Sequence, residues 1–191
     1  LTNLLRGILI LVPRNMLKAA GFYNTLMKCN QPAIVVEPLN AYRLKEKMPK
    51  NLGEFCLSIG EIEIIKEGTD ITIVSYGSTL KIVSTVAYEL KEIGINCEVI
   101  DIQTLIPFDQ SKGIRKSLLK TNRLLIVDED VPGGASSYIL QELLKKQSVY
   151  NLLDSPPELL TAKEHRPPYA EDGDYFSKPS KEDVFEKIIS I

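Results

Sequence analysis

The sequence predicts an α/β fold: a three-layer sandwich around a mostly parallel open sheet, preceded by the end of a second α/β domain. Three observations predict it. Short apolar runs such as "GILILVP" and "RLLIVDED" have the length and composition of strands buried on both faces. Segments with apolar residues at helical spacing lie between them. The alternation breaks once, over residues 39 to 60, where the period is lost.

"GILILVP" (7 to 13) is a strand closed by proline. Residues 14 to 30 carry Met16, Leu17, Ala20, Tyr23 and Met27 at helical spacing, with Asn15 placed to cap the start. "QPAIVVEP" (31 to 38) is the next strand, so the first 38 residues read strand–helix–strand, with parallel strands. "LNAYRLKEKMPKNLGEFCLSIG" then reads as a linker between domains. After it, "EIEIIKEGTD" gives a short strand and turn, and "DITIVSYGS" a buried strand. Residues 78 to 94 form a helix, with Ser78 as expected N-cap, Leu80, Val83, Val86, Ala87 and Leu90 as its inner face, and Gly94 as its stop. "INCEVIDIQ", "RLLIVDED" and "PPELLTAKE" are further strands. "DQSKGIRKSLLKTN", "GGASSYILQELLKKQ" and "KEDVFEKIISI" are further helices, the last capped by Ser180.

The 191 residues suffice for one domain and part of another. A net charge of −2 with interspersed signs gives no electrostatic footprint for nucleic acid or anionic lipid. No apolar run reaches membrane-spanning length, and no signal-peptide pattern opens the chain, which leads to the expectation of a cytoplasmic protein. Cys29, Cys56 and Cys97 are far apart and are expected to be buried, reduced thiols rather than metal ligands. The chain starts at Leu1 without Met and almost at once enters a strand, so a piece of a longer polypeptide is expected.

In such sheets ligands meet the loops at the carboxyl ends of the strands. Four loops qualify: "SYGST" (75 to 79), "DIQTLIPFD" (101 to 109), "DEDVPGGASSY" (128 to 138) and "EHRPPYAEDGDYF" (164 to 176). The first is either an anion-binding helix start or a plain turn. Gly133 and Gly134 do not complete a dinucleotide fingerprint. Asp109 reads as a helix cap behind Pro107, and His165 as a surface or interface residue; no triad pattern is present.

From Glu67 onward the residues resemble a known family. Glu67, Gly68, Asp70, Tyr76 and Gly77, then Glu98, Val99, Ile100, Asp101, Thr104, Leu105, Pro107 and Asp109, then Lys120, Thr121, Arg123, Glu129, Gly133 and Gly134, are similar to the transketolase C-terminal domain as it occurs in the beta part of 2-oxo acid dehydrogenase E1 components. "PAIVVEPLNAYR" resembles the end of the pyrimidine-binding domain of the same beta part. Gln103 stands where the family usually has Arg, and Tyr138 where an acid is common.

The resemblance divides the chain into a pyrimidine-binding-domain remnant (1–43), a linker (44–64) and a transketolase C-terminal domain (65–191). It implies membership of a thiamine diphosphate- and Mg²⁺-dependent enzyme, such as pyruvate or 2-oxoisovalerate dehydrogenase. That enzyme decarboxylates a 2-oxo acid and passes the acyl group to lipoyl groups on E2. The catalytic glutamate and the diphosphate-binding "GDG" motif are not found here, so the chain alone is expected to be inactive and to bind no cofactor. The resemblance also implies K⁺ on the backbone of Leu26, Cys29 and Gln31. It places Asp101, Thr104, Leu105, Pro107 and Asp109 at a subunit interface, and Glu164 and the carboxylate of Ile191 at an E2-binding surface. The implied partners are an E1 alpha part, a second beta part and the E2 subunit-binding domain, in the cytoplasm or, in a eukaryote, the mitochondrial matrix. The alternatives are the C-terminal domain of transketolase or deoxyxylulose phosphate synthase, or a non-catalytic anion- or nucleotide-binding module.

Overall fold

The computed structural model describes residues 2, 5–166, 168–169 and 173–191, without the side chains of 40 and 174. The part of the "EDGDYF" reading that falls on residues 171 and 172 lies outside the described residues.

The five-stranded sheet has the order β3-β5-β4-β7-β8, formed by β3 (Glu63–Lys66), β4 (Ile71–Ser75), β5 (Cys97–Asp101), β7 (Leu124–Val127) and β8 (Glu158–Leu160). All neighbours are parallel except β3, which runs antiparallel to β5. Every residue of β4, β5 and β7 is buried, which explains why these runs lack a polar alternation. Ile73, Val99 and Leu125 pack against α2 (Thr79–Glu92) and α6 (Lys181–Ile189). Val74, Ile100 and Ile126 face the opposite way, toward α3 (Gly113–Thr121) and α4 (Ala135–Gln141). The result is the expected three layers.

The smaller sheet has the order β2-β1-β6, from β1 (Leu9–Leu11), β2 (Ala33–Val35) and β6 (Thr104–Ile106). β1 and β2 are parallel and joined by α1 (Met16–Leu26), as the sequence predicts. β6 was not anticipated. It leaves the larger sheet at Asp101 and pairs antiparallel with β1, so a piece of the 65–191 region completes the sheet of residues 1–43. Ile10 and Val12 accordingly share one apolar core with Val74, Ile100 and Ile126.

Several local expectations change. Asn15 caps α1, its side chain accepting from the Lys18 N–H at 2.9 Å. The inner face of α1 is Ala19 and Phe22, however, and Tyr23 and Met27 are exposed. Ser78 is helical in its own backbone and makes no cap bond; its hydroxyl donates to Glu129 instead. Gly94 ends α2 with φ +91°, as expected of a left-handed stop. Ser180 and Asp183 form a reciprocal capping box on α6. α4 continues as a π-helical turn over Glu142–Lys146, and a short α5 (Gly173–Ser177) lies where the sequence suggested only loop. Of the three thiols only Cys97 is buried, and Cys56 is exposed.

Candidate functional site

The carboxyl ends of β4, β5 and β7 come together as the strand order requires, and a cleft of about 880 Å³ opens beside them. Its walls include Arg14 and Pro38 from residues 1–43, Leu44 just after them, and Gly77, Ser78 and Lys178 from residues 65–191.

Arg14, on one wall, belongs to an ion cluster. Arg14 pairs with Asp101 at 2.7 Å and with Glu63, and Lys18 reaches Glu63 at 2.6 Å. Burial opposes the Arg14 charge, but the bonds to Glu63 and Asp101 outweigh it and hold the guanidinium above its ordinary pKa. Burial also works against ionised Glu63, yet Arg14 and Lys18 keep its carboxyl below the usual range. Asp101 is wholly buried, and there burial wins over Arg14, pushing its pKa up to about 6.

The residues just before Gly77 and Glu129 tie two predicted loops to each other. Tyr76, at the end of β4, donates to Asp128, at the end of β7. The other Asp128 oxygen accepts the Ser136 N–H at 2.7 Å, at the start of α4. Burial, and then the Asp128 charge, raise the Tyr76 pKa far above its ordinary value, so the phenol stays a donor. Ser78 donates to Glu129 at 2.6 Å, and Lys178 stands 3.5 Å from the same carboxylate. Gly77 takes φ +58°, so a side chain there would be strained, and its Cβ would also press on Val12 at 3.2 Å.

The remaining family-matching residues hold strand ends in place. Lys120 on α3 pairs with Glu67 at 3.0 Å and with buried Glu98. Gly68 has no room for a side chain: a Cβ would lie 2.2 Å from the Cys97 carbonyl carbon. Asp70 accepts the Asn96 N–H at 2.7 Å, and Thr121 bonds Thr72 at 2.7 Å. The two departures also have local roles. Gln103 takes φ 54°, donates its N–H to Asp101 at 2.9 Å and reaches the Glu61 carbonyl at 3.2 Å. Tyr138 packs edge-on to Phe108, ring centroids 6.3 Å apart.

The loop 101–109 is mixed in polarity because the chain uses both kinds of residue internally. Asp101 holds Arg14. The Thr104 hydroxyl donates to the Pro107 carbonyl at 2.9 Å and accepts the Gly60 N–H at 3.1 Å. Asp109 accepts the first N–H groups of α3, from Gly113 at 2.7 Å and Ile114 at 3.0 Å, and also the Gln147 amide at 2.9 Å. Leu105 is buried. Contact with a second subunit therefore does not follow from the surroundings of Asp101, Thr104, Leu105 and Asp109; Pro107, half-buried, keeps some surface for one.

Glu164 and Ile191 are not brought together. Glu164 follows β8 at the carboxyl edge of the sheet, close to where Lys163 donates to the Ser177 carbonyl. Ile191 lies at the opposite edge, beside Ile71 and Arg123 at the starts of β4 and β7. The Leu26 carbonyl accepts the Cys29 N–H at 2.9 Å, and Gln31 is exposed beyond it. His165 is exposed, its Nδ1 2.9 Å from the Arg166 carbonyl.

These residues do not fit thiamine diphosphate and its metal. Glu63, Asp101 and Glu129 each have a cationic or hydroxyl partner already, and among the described residues no group of three or more His, Cys, Asp or Glu could hold a metal ion.

The family described as the transketolase C-terminal domain matches residues 60–184. Similar curated proteins are the 2-oxoisovalerate dehydrogenase subunit beta 2 of Arabidopsis thaliana (33% identical; 73% of this chain, 39% of that protein), the acetoin:2,6-dichlorophenolindophenol oxidoreductase subunit beta of Bacillus subtilis (32%; 92% and 51%) and the pyruvate dehydrogenase E1 component subunit beta of Rickettsia conorii (28%; 95% and 55%). The chain thus spans about half the length of the curated relatives it matches. Two solved structures share the fold: a split-gene transketolase described as an inactive beta4 tetramer (TM-score 0.73, 19% identity, 99% of this chain and 58% of that one) and the Campylobacter jejuni transketolase (0.64, 16%, 100% and 27%).

Proposed function

The chain belongs to the family of transketolase C-terminal domains, and from that premise we propose that it is part of the thiamine diphosphate-dependent E1 component of a 2-oxo acid dehydrogenase complex. Its own task there is structural: subunit assembly and docking of E2. The observation that carries the reading is the extent of the likeness. A subunit named as E1 beta matches 95% of this chain by sequence at 28% identity, whereas the two solved transketolases share its fold at 19% and 16% identity.

In this reading residues 1–43 close a pyrimidine-binding domain, 44–64 link, and 65–191 form the C-terminal domain. The bound cofactor would supply decarboxylation chemistry; the residues seen here would hold the strand ends and the two units against each other. The isolated chain then neither binds thiamine diphosphate tightly nor turns over 2-oxo acids, and micromolar binding in calorimetry with Mg²⁺ would count against this. Two finer assignments rest on resemblance: K⁺ on the carbonyls of Leu26, Cys29 and Gln31, and E2 contact at Glu164 and the Ile191 carboxylate. The cytoplasm, or the mitochondrial matrix in a eukaryote, suits the reading. No helix among the described residues is long and apolar enough to cross a membrane.

The test is a chimera in which this chain replaces the matched stretch of the rickettsial subunit. Assembly with its alpha partner and pyruvate-dependent acyl transfer to E2 are expected. A folded chimera that fails to assemble overturns the proposal.

A further inference from the structure

The linker lies against the last turns of α1. Gly21 permits the approach: a Cβ there would stand 2.7 Å from the Phe55 ring and 2.8 Å from Leu57. Hydrogen bonds hold the linker on both sides of Cys56. The Asn24 amide donates to the Leu52 carbonyl at 2.7 Å and to the Phe55 carbonyl at 2.8 Å. The Thr25 hydroxyl stands 2.7 Å from the Leu57 carbonyl and accepts the Leu57 N–H at 3.1 Å. Lys28 follows the helix end, its N–H donating to the Thr25 carbonyl at 3.0 Å. Its ammonium ends 3.3 Å from Cys56 Sγ, and both side chains are open to solvent. The other thiols are placed differently. Cys97 is buried, and burial pushes its thiol up to about 11. Cys29 is half-buried against Leu9, Leu11 and Phe22 and accepts the Gln31 N–H at 3.4 Å. The thiol that a dissolved oxidant reaches is thus the one that faces an amine. Two nucleophiles in contact can join once one of them is oxidised.

We infer that Cys56 and Lys28 form a peroxide-driven, reversible cross-link, an S–N bond that ties the linker to the end of α1. In the first step the Cys56 thiol reacts with hydrogen peroxide. The S–O bond of a sulfenic acid forms, the O–O bond breaks and one water leaves; sulfur loses two electrons and peroxide gains them. In the second step Lys28 Nζ attacks that sulfur. The S–N bond forms and the S–O bond breaks. The nitrogen releases two protons, one leaving with the hydroxyl as water and the other passing to solvent. This step needs no further oxidant. Two equivalents of an added thiol reverse the bond: the first displaces the amine and the second frees Cys56. The backbone on both sides of Cys56 is already held on α1, so only side chains have to move. The bond closes residues 28–56, β2 among them, into a loop and fixes the start of the linker between the two units. The inference is independent of the enzymatic reading.

The experiment treats the whole chain with hydrogen peroxide and follows it by intact mass and by sequencing of linked peptides. The variants are Lys28→Arg, Cys56→Ser and Cys29→Ala. The native chain should lose the mass of two hydrogens, in a linked pair of peptides that carry Lys28 and Cys56, and an added thiol should restore it. Cys29→Ala should behave in the same way, and Cys56→Ser should form no link. Lys28→Arg keeps the cation but should lower the yield of linked chain by about tenfold or more, with oxygen added to Cys56 instead. Closure of the loop should also raise the denaturation midpoint of the oxidised native chain, and the thiol should reverse the rise. Four results overturn the inference: oxygen gained at Cys56 of the native chain without a link, a disulfide between Cys29 and Cys56, chains joined in pairs through Cys56, and an undiminished yield in Lys28→Arg.

Discussion

β4 and β5 lie inside the larger sheet, and all residues from Ile71 to Ser75 and from Cys97 to Asp101 are buried. β2 is as apolar as they are, but it lies at an edge, and Ala33 to Val35 are each half-exposed. The difference is one of neighbours. The larger sheet has helices on both faces and closes its core within the chain, with α2 and α6 on one side and α3 and α4 on the other. The smaller sheet has α1 and borrows β6 from its neighbour, and its third core cluster rests on Leu9, Leu11 and Phe22. Equal composition therefore does not mean equal contribution to stability: apolar surface stabilises only where something removes it from water.

The largest effects should lie in the closed region. Ile100→Ala opens a cavity among Val74, Leu118 and Ile126 and is expected to cost about 2–5 kcal/mol in chemical denaturation. Ile34→Ala in β2 removes the same atoms from a half-exposed site and should cost clearly less. Equal losses would show that the smaller sheet is closed after all. Glycines offer a second contrast. Gly68→Ala drives a methyl into the Cys97–Glu98 backbone and should cost about 2–4 kcal/mol. Gly53→Ala, with nothing within 4 Å, should change stability by about 1 kcal/mol or less.

The joint between the regions should respond to pH. Asp101 titrates near 6 in the folded chain because burial outweighs Arg14, against an ordinary value near 3.8. Below both values it is protonated in either state. As pH rises between them the unfolded chain ionises first, so stability falls by at most about 3 kcal/mol and then levels off above 6. Glu63, held below its ordinary range by Arg14 and Lys18, contributes with the opposite sign at lower pH. Asp101→Asn should remove the first slope alone. Stability curves of variant and native chain that stay parallel from pH 4 to 7 would place the joint's pH dependence elsewhere.

The inner strands β4, β5 and β7 of the larger sheet were legible because each is a run buried over its whole length, and because Gly94 and Ser180 mark helix ends by local chemistry, the first through its backbone freedom and the second through its side chain. What was not legible depends on distant partners. β6 is three residues whose pairing with β1 is set by where Asp101 meets Arg14. Ser78 stands where a cap belongs, but Glu129 from another strand takes its hydroxyl. Asp109 was legible as a cap of α3, but not that it reaches Gly113 and Ile114 from several residues upstream, through a left-handed Lys112 that no periodicity announces. At the site, the matching residues were found but their roles were not. Glu67, Gly68, Asp70 and Lys120 support strand ends, and only their contacts show it. On α1 the helical spacing was right and the face was wrong, since Tyr23 and Met27 repeat as well as Ala19 and Phe22 do.

That ambiguity gives the smallest effect expected here. Met27→Ser with Leu39→Ser removes two large apolar side chains that already face water. In the chain alone the folded state loses almost no burial, so stability should move by about 0.5 kcal/mol or less. The same change at Phe22, on the inner face, should cost about 3–5 kcal/mol when Phe is cut to Ala. Solubility should separate from stability: the Ser pair reduces exposed apolar surface and should raise the concentration at which the chain stays monodisperse. A loss of more than about 1 kcal/mol in the Ser pair would mean that Met27 and Leu39 already have partners within this chain. The outer face of α1 would then be a second core face, and the contrast between the two sheets would narrow to the edge of β2 itself.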